Sequence, residues 1–300
     1  ALCQEGLGKE VIDTFSNPNV LANDPMRLNI NQTDEEDAPG AAPADSYQHD
    51  ALILSRLYDL TAEEIAYNRE LGDKKAPLTQ PKTVGWFLPG FDVIYAGLNN
   101  IFSFAEYLAN QGVKTHFYIL RGDQGVELEK QLVIAQYPGL KDAKFVAITS
   151  EKPNVTALDI GICTQWASAY PLAKLRNVGR KCYFIQDCEP NFYPQGSISA
   201  LVELTYKLNF FAIANTQGLL DMYTNRFGGR GVLLKSLVDI GKWHPREDRD
   251  YKPVKPYKVF FYARPNMPRN AFELGIAGLL KLKEQLGENV QIMTAGAPWD

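Results

Sequence analysis

The sequence has little of the material that several common protein classes require. Its longest stretch without a charged residue is 160–173, which is 14 residues long and contains several polar side chains. A helix that spans a bilayer needs about 20 apolar residues. No basic head followed by an apolar run opens the chain, so no secretory signal is visible. We therefore expect a cytoplasmic protein without a transmembrane segment.

Cysteine and histidine are also scarce. The chain contains four cysteines and three histidines, with no C-x-x-C pair, at positions Cys3, Cys163, Cys182, Cys188, His49, His116 and His244. Such scattered residues support neither a disulfide framework nor a zinc knuckle. We expect a reduced protein without a metal site.

Dinucleotide fingerprints are missing as well. No G-x-G-x-x-G follows a candidate strand, which disfavours a nicotinamide or flavin cofactor and hence a nucleotide-sugar epimerase or dehydrogenase. Residues 6–10, GLGKE, lack the preceding strand and the Ser or Thr of a P-loop. We expect no cofactor.

Charge is unevenly distributed along the chain. The formal net charge is −4, yet the first 50 residues contain ten acidic and two basic side chains. The remaining 250 residues contain 29 basic and 25 acidic side chains, which is too small an excess for a surface that neutralises phosphates. Nucleic acid is therefore not an expected partner.

The pattern of apolar segments predicts three regions. Residues 1–80 form an acidic extension with short helices, one of which starts after Thr61 in a capping box with Glu64. Residues 81–245 alternate apolar strands with helices, which is typical of an α/β domain with a doubly wound parallel sheet. A charged, proline-containing linker leads to 255–300, a second β-α-β unit that is too short to form a domain alone.

In a doubly wound sheet, ligands bind beyond the carboxyl ends of the strands. Gly97 precedes a predicted helix, where backbone amides favour an anion, although a flexible turn is the alternative. Another strand runs into Gln186, Asp187 and Glu189, followed by aromatic residues. Carboxylates, an amide and ring faces suit the recognition of a sugar, and a capped loop with a buried aromatic plug is the alternative.

Two arginines follow the first strand of the second unit. Arg264 closes that strand, and Arg269 lies near the start of the next helix. A guanidinium group can donate to two phosphate oxygens at once, so these residues are candidates for a diphosphate clamp. A pair of surface ion-pair arginines is the alternative.

Five segments resemble the rhamnosyltransferases of glycosyltransferase family 4, which build bacterial rhamnan and S-layer glycans. They are FLPGFDVIYAGLNNIFSFAEYLANQGV (87–113), DIGICTQWASAY (159–170), YFIQDCEPNFYP (183–194), FAIANTQGLLDMY (211–223) and FYARPNMPRNAFELG (261–275). The resemblance covers residues 82–300.

The resemblance implies a GT-B architecture of two Rossmann-like domains, with an N-terminal acceptor domain and a C-terminal donor domain that is truncated in this chain. The implied activity is metal-independent transfer of L-rhamnose from dTDP-β-L-rhamnose to a glycan, with retention. The acceptor is a glycan, lipid-linked in some pathways, which would place the protein at the inner face of the plasma membrane. The sequence leaves a homodimer open.

The resemblance also implies roles for individual residues. Gly97 falls on the glycine-rich loop that faces the donor phosphate, and Arg264 on the diphosphate-binding arginine. The family's lysine falls on Asn270, with Arg269 beside it as the substitute. The residues that fall on the acceptor cleft are Thr164, Gln165, Trp166, Gln186, Phe192 and Tyr193.

Two carboxylates, Asp187 and Glu189, are the predicted catalytic residues, and the sequence does not separate nucleophilic attack from the binding of a hydroxyl. The paired glutamates of the family's donor site would lie beyond Asp300, so a chain that ended there would be expected to be inactive. The alternative function is a non-catalytic glycan-binding or scaffold module of the same pathway.

Overall fold

The computed structural model describes residues 57–74, 80–121, 125–151, 153–234, 244, 254–265 and 267–297. These residues belong to two compact units. The larger unit contains the described residues between 57 and 190 and between 195 and 234, and the smaller unit contains 191–194 and the described residues from 244 onwards. The predicted boundaries at 80/81 and 245/255 lie beside or within ranges outside the described residues and stay predictions.

The larger unit is built on a sheet of seven parallel strands. Among the described residues of this unit, six helices accompany the sheet. The strands are β1 (Thr83–Pro89), β2 (Lys114–Leu120), β3 (Lys144–Ile148), β4 (Leu158–Cys163), β5 (Val178–Ile185), β6 (Phe211–Ala214) and β7 (Gly231–Leu233). The helices are α1 (Ala62–Asp73), α2 (Ala96–Asn110), α3 (Glu127–Gln136), α4 (Trp166–Lys174), α5 (Ser197–Tyr206) and α6 (Gln217–Phe227).

The strand order is β3-β2-β1-β4-β5-β6-β7, and every neighbouring pair is parallel. The chain therefore builds outward from β1 in one direction and then returns to build from β4 in the other. This is the order of a Rossmann-like sheet, whose ligands bind where the direction reverses. The predicted α/β fold with a doubly wound parallel sheet is confirmed.

The central strand β1 is buried on both faces, as a parallel sheet covered by helices requires. Successive side chains point to opposite faces. Trp86 packs edge-on against Phe104, with ring centroids 5.6 Å apart, while Phe87 stacks on Tyr118 at 5.1 Å. Aromatic packing on both sides fixes the strand, and with it the loop that follows Pro89.

Helix α1 begins with the predicted capping box, in which the Thr61 side chain accepts from the Glu64 amide and the Glu64 carboxylate accepts from the Thr61 amide. The sequence placed this helix in an extension, but it packs on the larger unit. Asn68 is only 1% exposed and donates to the carbonyl of Ala173 at 2.9 Å. The earlier part of the extension lies outside the described residues.

The smaller unit contains a β-α-β motif, as the sequence predicts. Strands β8 (Tyr257–Ala263) and β9 (Val290–Gly296) are parallel and are connected by α7 (Phe272–Leu286). Phe261 contacts Phe272 of the helix, with ring centroids 5.9 Å apart. The GT-B arrangement of two facing domains stays a prediction.

Within the described parts of both units, no helix combines the length and the apolarity that a membrane span would need.

Candidate functional site

The candidate site of the larger unit lies at the carboxyl edge of its sheet, at the reversal between β1 and β4. Three loops leave this edge: 90–95 after β1, 164–165 after β4, and the segment 186–190 after β5, called the 186–190 corner below. These loops contain most of the predicted acceptor and catalytic residues, and the first of them leads into α2, whose first turn contains Gly97. The topology therefore brings together residues that are up to 100 positions apart in the sequence.

Gln186 connects the corner to the first turn of α2. Its Nε2 donates to the carbonyl oxygen of Gly97 at 3.1 Å, and its Oε1 accepts from Asn100 Nδ2 at 2.9 Å. Both ends of the amide are thus oriented by α2. The structure brings Gln186 and Gly97 into direct contact, although the sequence assigned them to acceptor and donor binding respectively.

Asp187 is half-buried at the corner. One of its carboxylate oxygens accepts from the Cys188 amide at 2.8 Å, and its backbone carbonyl accepts from the Tyr206 hydroxyl at 3.2 Å. The backbone is therefore held from α5, and the residue is half-buried at the sheet edge.

Glu189 has a different environment. It is 4% exposed, and its Oε2 accepts from the Trp166 amide at 2.6 Å and from the Tyr183 hydroxyl at 3.1 Å. Burial raises the pKa of this carboxyl to about 8, although the two hydrogen bonds act in the opposite direction. The two predicted catalytic carboxylates are therefore not equivalent, because Glu189 is buried and Asp187 is only half-buried.

The loop after β4 is mostly internal. Thr164 is buried and donates through its hydroxyl to the carbonyl of Phe87 at 3.1 Å. Trp166 is also buried and packs on Tyr58, with ring centroids 4.7 Å apart. Gln165 is half-exposed. Of these three predicted acceptor residues, Gln165 has the exposure that a ligand contact requires, and the other two side chains hold the fold.

Four predicted site residues lie in the smaller unit. Arg264 donates to the Tyr262 hydroxyl at 2.9 Å, and the Arg269 guanidinium lies 4.0 Å from the centre of the Phe192 ring. Tyr193 lies next to Phe192, with ring centroids 6.5 Å apart. The structure thus brings one proposed donor residue together with a predicted acceptor aromatic.

Sequence reasoning missed two residues at the edge. Tyr95 is 51% exposed, and its ring lies 3.5 Å from the position that a Cβ on Gly97 would take. Asn100 orients Gln186 from one turn further along α2. An aromatic residue two positions before a candidate anion-binding glycine is the signal that could have identified Tyr95.

An ion-pair group supports the loop after β1. Arg121, at the end of β2, has its Nε 2.6 Å from Glu129 Oε1 and its Nη2 3.0 Å from Asp92 Oδ1. Glu129 is fully buried on α3, whereas Asp92 lies exposed in the loop. The Arg121 guanidinium therefore links the loop after β1 to helix α3.

Three cysteines are described by the structure. Cys163 and Cys182 are buried on adjacent strands, and burial raises the pKa of both thiols, that of Cys182 to about 12. Cys188 is half-buried in the corner. The buried pair is unreactive because a thiolate is the nucleophilic form of cysteine.

A comparison with protein-family models finds no match. A comparison with curated proteins finds that the chain is similar to the O-antigen biosynthesis protein RfbC of Myxococcus xanthus. The two are 37% identical over 253 residues, which make up 81% of this chain and 19% of that protein. The chain thus spans about a fifth of the length of the curated relative it matches.

Proposed function

We propose that this chain is part of a glycosyltransferase of cell-surface polysaccharide synthesis, and that its larger unit binds the acceptor glycan. The observation that carries the proposal is the half-buried Asp187 beside the oriented amide of Gln186, at the reversal point of a Rossmann-like sheet. Similarity to a protein named for O-antigen biosynthesis supports a glycan pathway. Carboxylate and amide groups at one edge suit sugar hydroxyls as hydrogen-bonding partners.

The donor that we propose is dTDP-β-L-rhamnose, whose diphosphate is the proposed ligand of Arg264 and Arg269 in the smaller unit. In the larger unit, the backbone at Gly97 is a separate candidate for a phosphate contact. In the reaction, the bond between the sugar C1 and the diphosphate oxygen breaks, and the acceptor oxygen bonds to C1 with retention. The acceptor proton passes to the Asp187 carboxylate, and the diphosphate leaves with the electrons of the broken bond. Guanidinium groups stabilise the negative charge that develops on the leaving group, as preorganised cations do.

Asp187 is the proposed catalytic carboxylate, because it accepts a hydrogen bond from the acceptor hydroxyl and increases the electron density on the attacking oxygen. Asp187→Asn keeps the shape of the side chain and removes its charge. We expect transfer of labelled rhamnose from dTDP-rhamnose to a rhamnan oligosaccharide to fall by about 10²-fold or more, as for the loss of a group that assists proton transfer.

Asp142→Asn is the matched control, because Asp142 is an exposed carboxylate before β3, at the opposite edge of the sheet. Transfer by this variant should equal that of the wild type. Transfer by the Asp187→Asn variant at the wild-type rate would contradict the assignment. Oligosaccharide binding by a protein that transfers no sugar would favour the alternative of a non-catalytic glycan-binding module.

Arg264→Ala tests the proposed donor contact. A hydrogen bond to a charged group contributes about 1–3 kcal/mol, so we expect the Kd for dTDP to rise about 5-fold to 150-fold in isothermal calorimetry. Lys281→Ala removes an exposed positive charge from α7 and should leave the Kd unchanged. An equal effect of both substitutions would show a general charge effect instead of a specific contact.

Gly97→Ala tests whether the glycine is needed for the packing of the fold or for the close approach of a ligand to the backbone. A Cβ on Gly97 would lie 3.4 Å from Gln186 Nε2, an ordinary contact, so the fold itself does not require a glycine here. Alanine favours a helix over glycine by about 1 kcal/mol. We expect unfolding by urea to show equal or higher stability, while the Kd for dTDP rises. Lower stability would show that the glycine serves the fold.

A further inference from the structure

We propose that Glu189 is a positioning residue that acts as a neutral carboxylic acid, holding the 186–190 corner on the first turn of α4 so that Asp187 stays at the sheet edge. The proposal rests on the proposed function for its activity measurement, but its stability measurement is independent of any reaction. It gives Asp187 and Glu189 different roles, although the sequence analysis predicted both as catalytic carboxylates.

The side chain of Glu189 lies inside the larger unit. Its 4% exposure places the carboxyl away from bulk water. Among the residues that the structure describes, no lysine, arginine or histidine forms an ion pair with it. A buried carboxylate without a cation is costly, so the neutral form is the one that this site favours.

One oxygen of the group connects three parts of the chain. Oε2 accepts from the Trp166 amide, at the N-terminus of α4, and from the Tyr183 hydroxyl of β5. The carbonyl oxygen of a neutral acid has two lone pairs and can accept both hydrogen bonds. The side chain therefore connects the corner to the loop after β4.

The backbone on either side of Cys188 is held by a second contact. The Tyr206 hydroxyl of α5 accepts from the Glu189 amide at 3.4 Å and donates to the carbonyl of Asp187 at 3.2 Å. Glu189 and Tyr206 thus hold the corner from two helices. Loss of either contact would leave Asp187 less well oriented.

The hydrogen bonds from Trp166 and Tyr183 favour the ionised form of Glu189, whereas burial and one neighbouring charge oppose it and together have the larger effect. On its own segment lies Asp187, whose charge raises the pKa of Glu189. The neighbouring elements contribute neutral groups. A charge on Glu189 would raise the pKa of each of them, which are Tyr95 before α2, Cys163 on β4, Tyr183 on β5 and Tyr206 on α5. Adding a negative charge here would repel the carboxylate of Asp187.

The test compares Glu189→Gln with Glu189→Ala in the full chain. Glutamine has the shape of the neutral acid, and its oxygen accepts the same two hydrogen bonds. We expect kcat for rhamnosyl transfer at pH 7 to stay within about 3-fold of wild type for Gln and to fall more than 10-fold for Ala, with a smaller change in KM. Asp187→Asn, in contrast, is expected to lose transfer activity even though asparagine keeps the shape of the side chain.

The pH dependence gives a readout that a merely structural residue would not change. The kcat of the wild type should decline above pH 8 as Glu189 ionises, and this decline should be missing from Glu189→Gln. Glu151→Gln, a substitution of an exposed carboxylate, should keep the wild-type profile.

Stability supplies a measurement without substrate. Burial raises the pKa of Glu189 in the folded protein above its ordinary value of 4.5, so the folded protein binds more protons between pH 4.5 and about 8. The stability contributed by Glu189 is fully present below this window and is lost as pH rises through it. The urea midpoint of the wild type should therefore fall relative to Glu189→Gln over this range.

The proposal is overturned if folded Glu189→Gln loses more than 10-fold in kcat at pH 7, because the ionised carboxylate would then be required. It is also overturned if the two urea midpoints keep a constant difference from pH 5 to 8. If neither protein transfers rhamnose, the stability result still decides this proposal, and the proposed function alone fails. An infrared band of a protonated carboxylic acid at pH 7, missing from Glu189→Gln, supports it directly.

Discussion

Replacing Arg121 with alanine is expected to lower the free energy of unfolding by about 3–5 kcal/mol, one of the two largest effects that we predict. The guanidinium lies 2.6 Å from a carboxylate oxygen of Glu129, which is fully buried. Its removal leaves a charge inside the protein with no cation beside it. The loop after β1 also loses its link through Asp92. Urea unfolding monitored by circular dichroism measures the loss.

A second substitution separates the buried charge from lost packing. Arg121→Ala combined with Glu129→Gln removes both charges and should recover part of the stability, because an amide costs less to bury than an unpaired carboxylate. Lys130→Ala breaks an exposed pair with Glu127 and should change the stability by less than about 1 kcal/mol. An Arg121→Ala variant as stable as Lys130→Ala would contradict the assignment.

The other large effect concerns Lys181, a buried lysine on β5. Its Nζ donates to Asn68 Oδ1 at 2.7 Å, to the carbonyl of Ala173 at 3.0 Å and to that of Leu175 at 2.7 Å. The lysine thereby closes the C-terminus of α4 and holds α1 against it. Lys181→Met keeps most of the side-chain volume and removes the three donors, and we expect a loss of about 2–4 kcal/mol from acceptors left without a partner.

The same lysine makes this loss depend on pH. Burial lowers the pKa of Lys181 to about 7, below its ordinary value of 10.5. The unfolded chain then binds more protons between these two values, so stability from this group rises with pH across that window. The difference in urea midpoint between wild type and Lys181→Met should be larger at pH 9 than at pH 6.

Lys141→Met is the control for the lysine experiment, because Lys141 is exposed in the turn before β3. Its effect on the urea midpoint should be small and independent of pH. A difference between wild type and Lys181→Met that stays constant from pH 6 to 9 would show that the lysine keeps its charge throughout, balanced by its three carbonyl partners.

Most of the sheet could be predicted because its strands are nearly continuous apolar runs that end in glycine, proline or charged residues. Helix α6 also follows directly from the sequence, since Thr216 caps its start and Gly228, with φ of 71°, ends it. The pattern fails for β7, because its three residues are too few to show a repeat and pair with β6 through backbone groups at the edge of the sheet. It also fails for α3, where Leu128 lies exposed.

The location of the candidate site was predictable, but the direction of its side chains was not. Carboxyl ends of parallel strands meet at one edge, so Asp187 and Gln186 could be placed there from the sequence. The corner then enters a single 3₁₀ turn, Glu189–Phe192, which has no repeating pattern that distinguishes inward from outward residues. Glu189 and Trp166 turn inward because α4 offers an unsatisfied backbone amide at its start.

The contrast between the half-buried thiol of Cys188 and the two buried thiols of β4 and β5 makes the chain suitable for site-specific labelling. Once Cys3, which lies outside the described residues, is replaced by serine, a maleimide fluorophore would attach at Cys188. The dye would then lie one residue from both Asp187 and Glu189. Its emission would follow the binding of a ligand at the corner, or the ionisation of a single carboxyl group, in real time and without any assay of product.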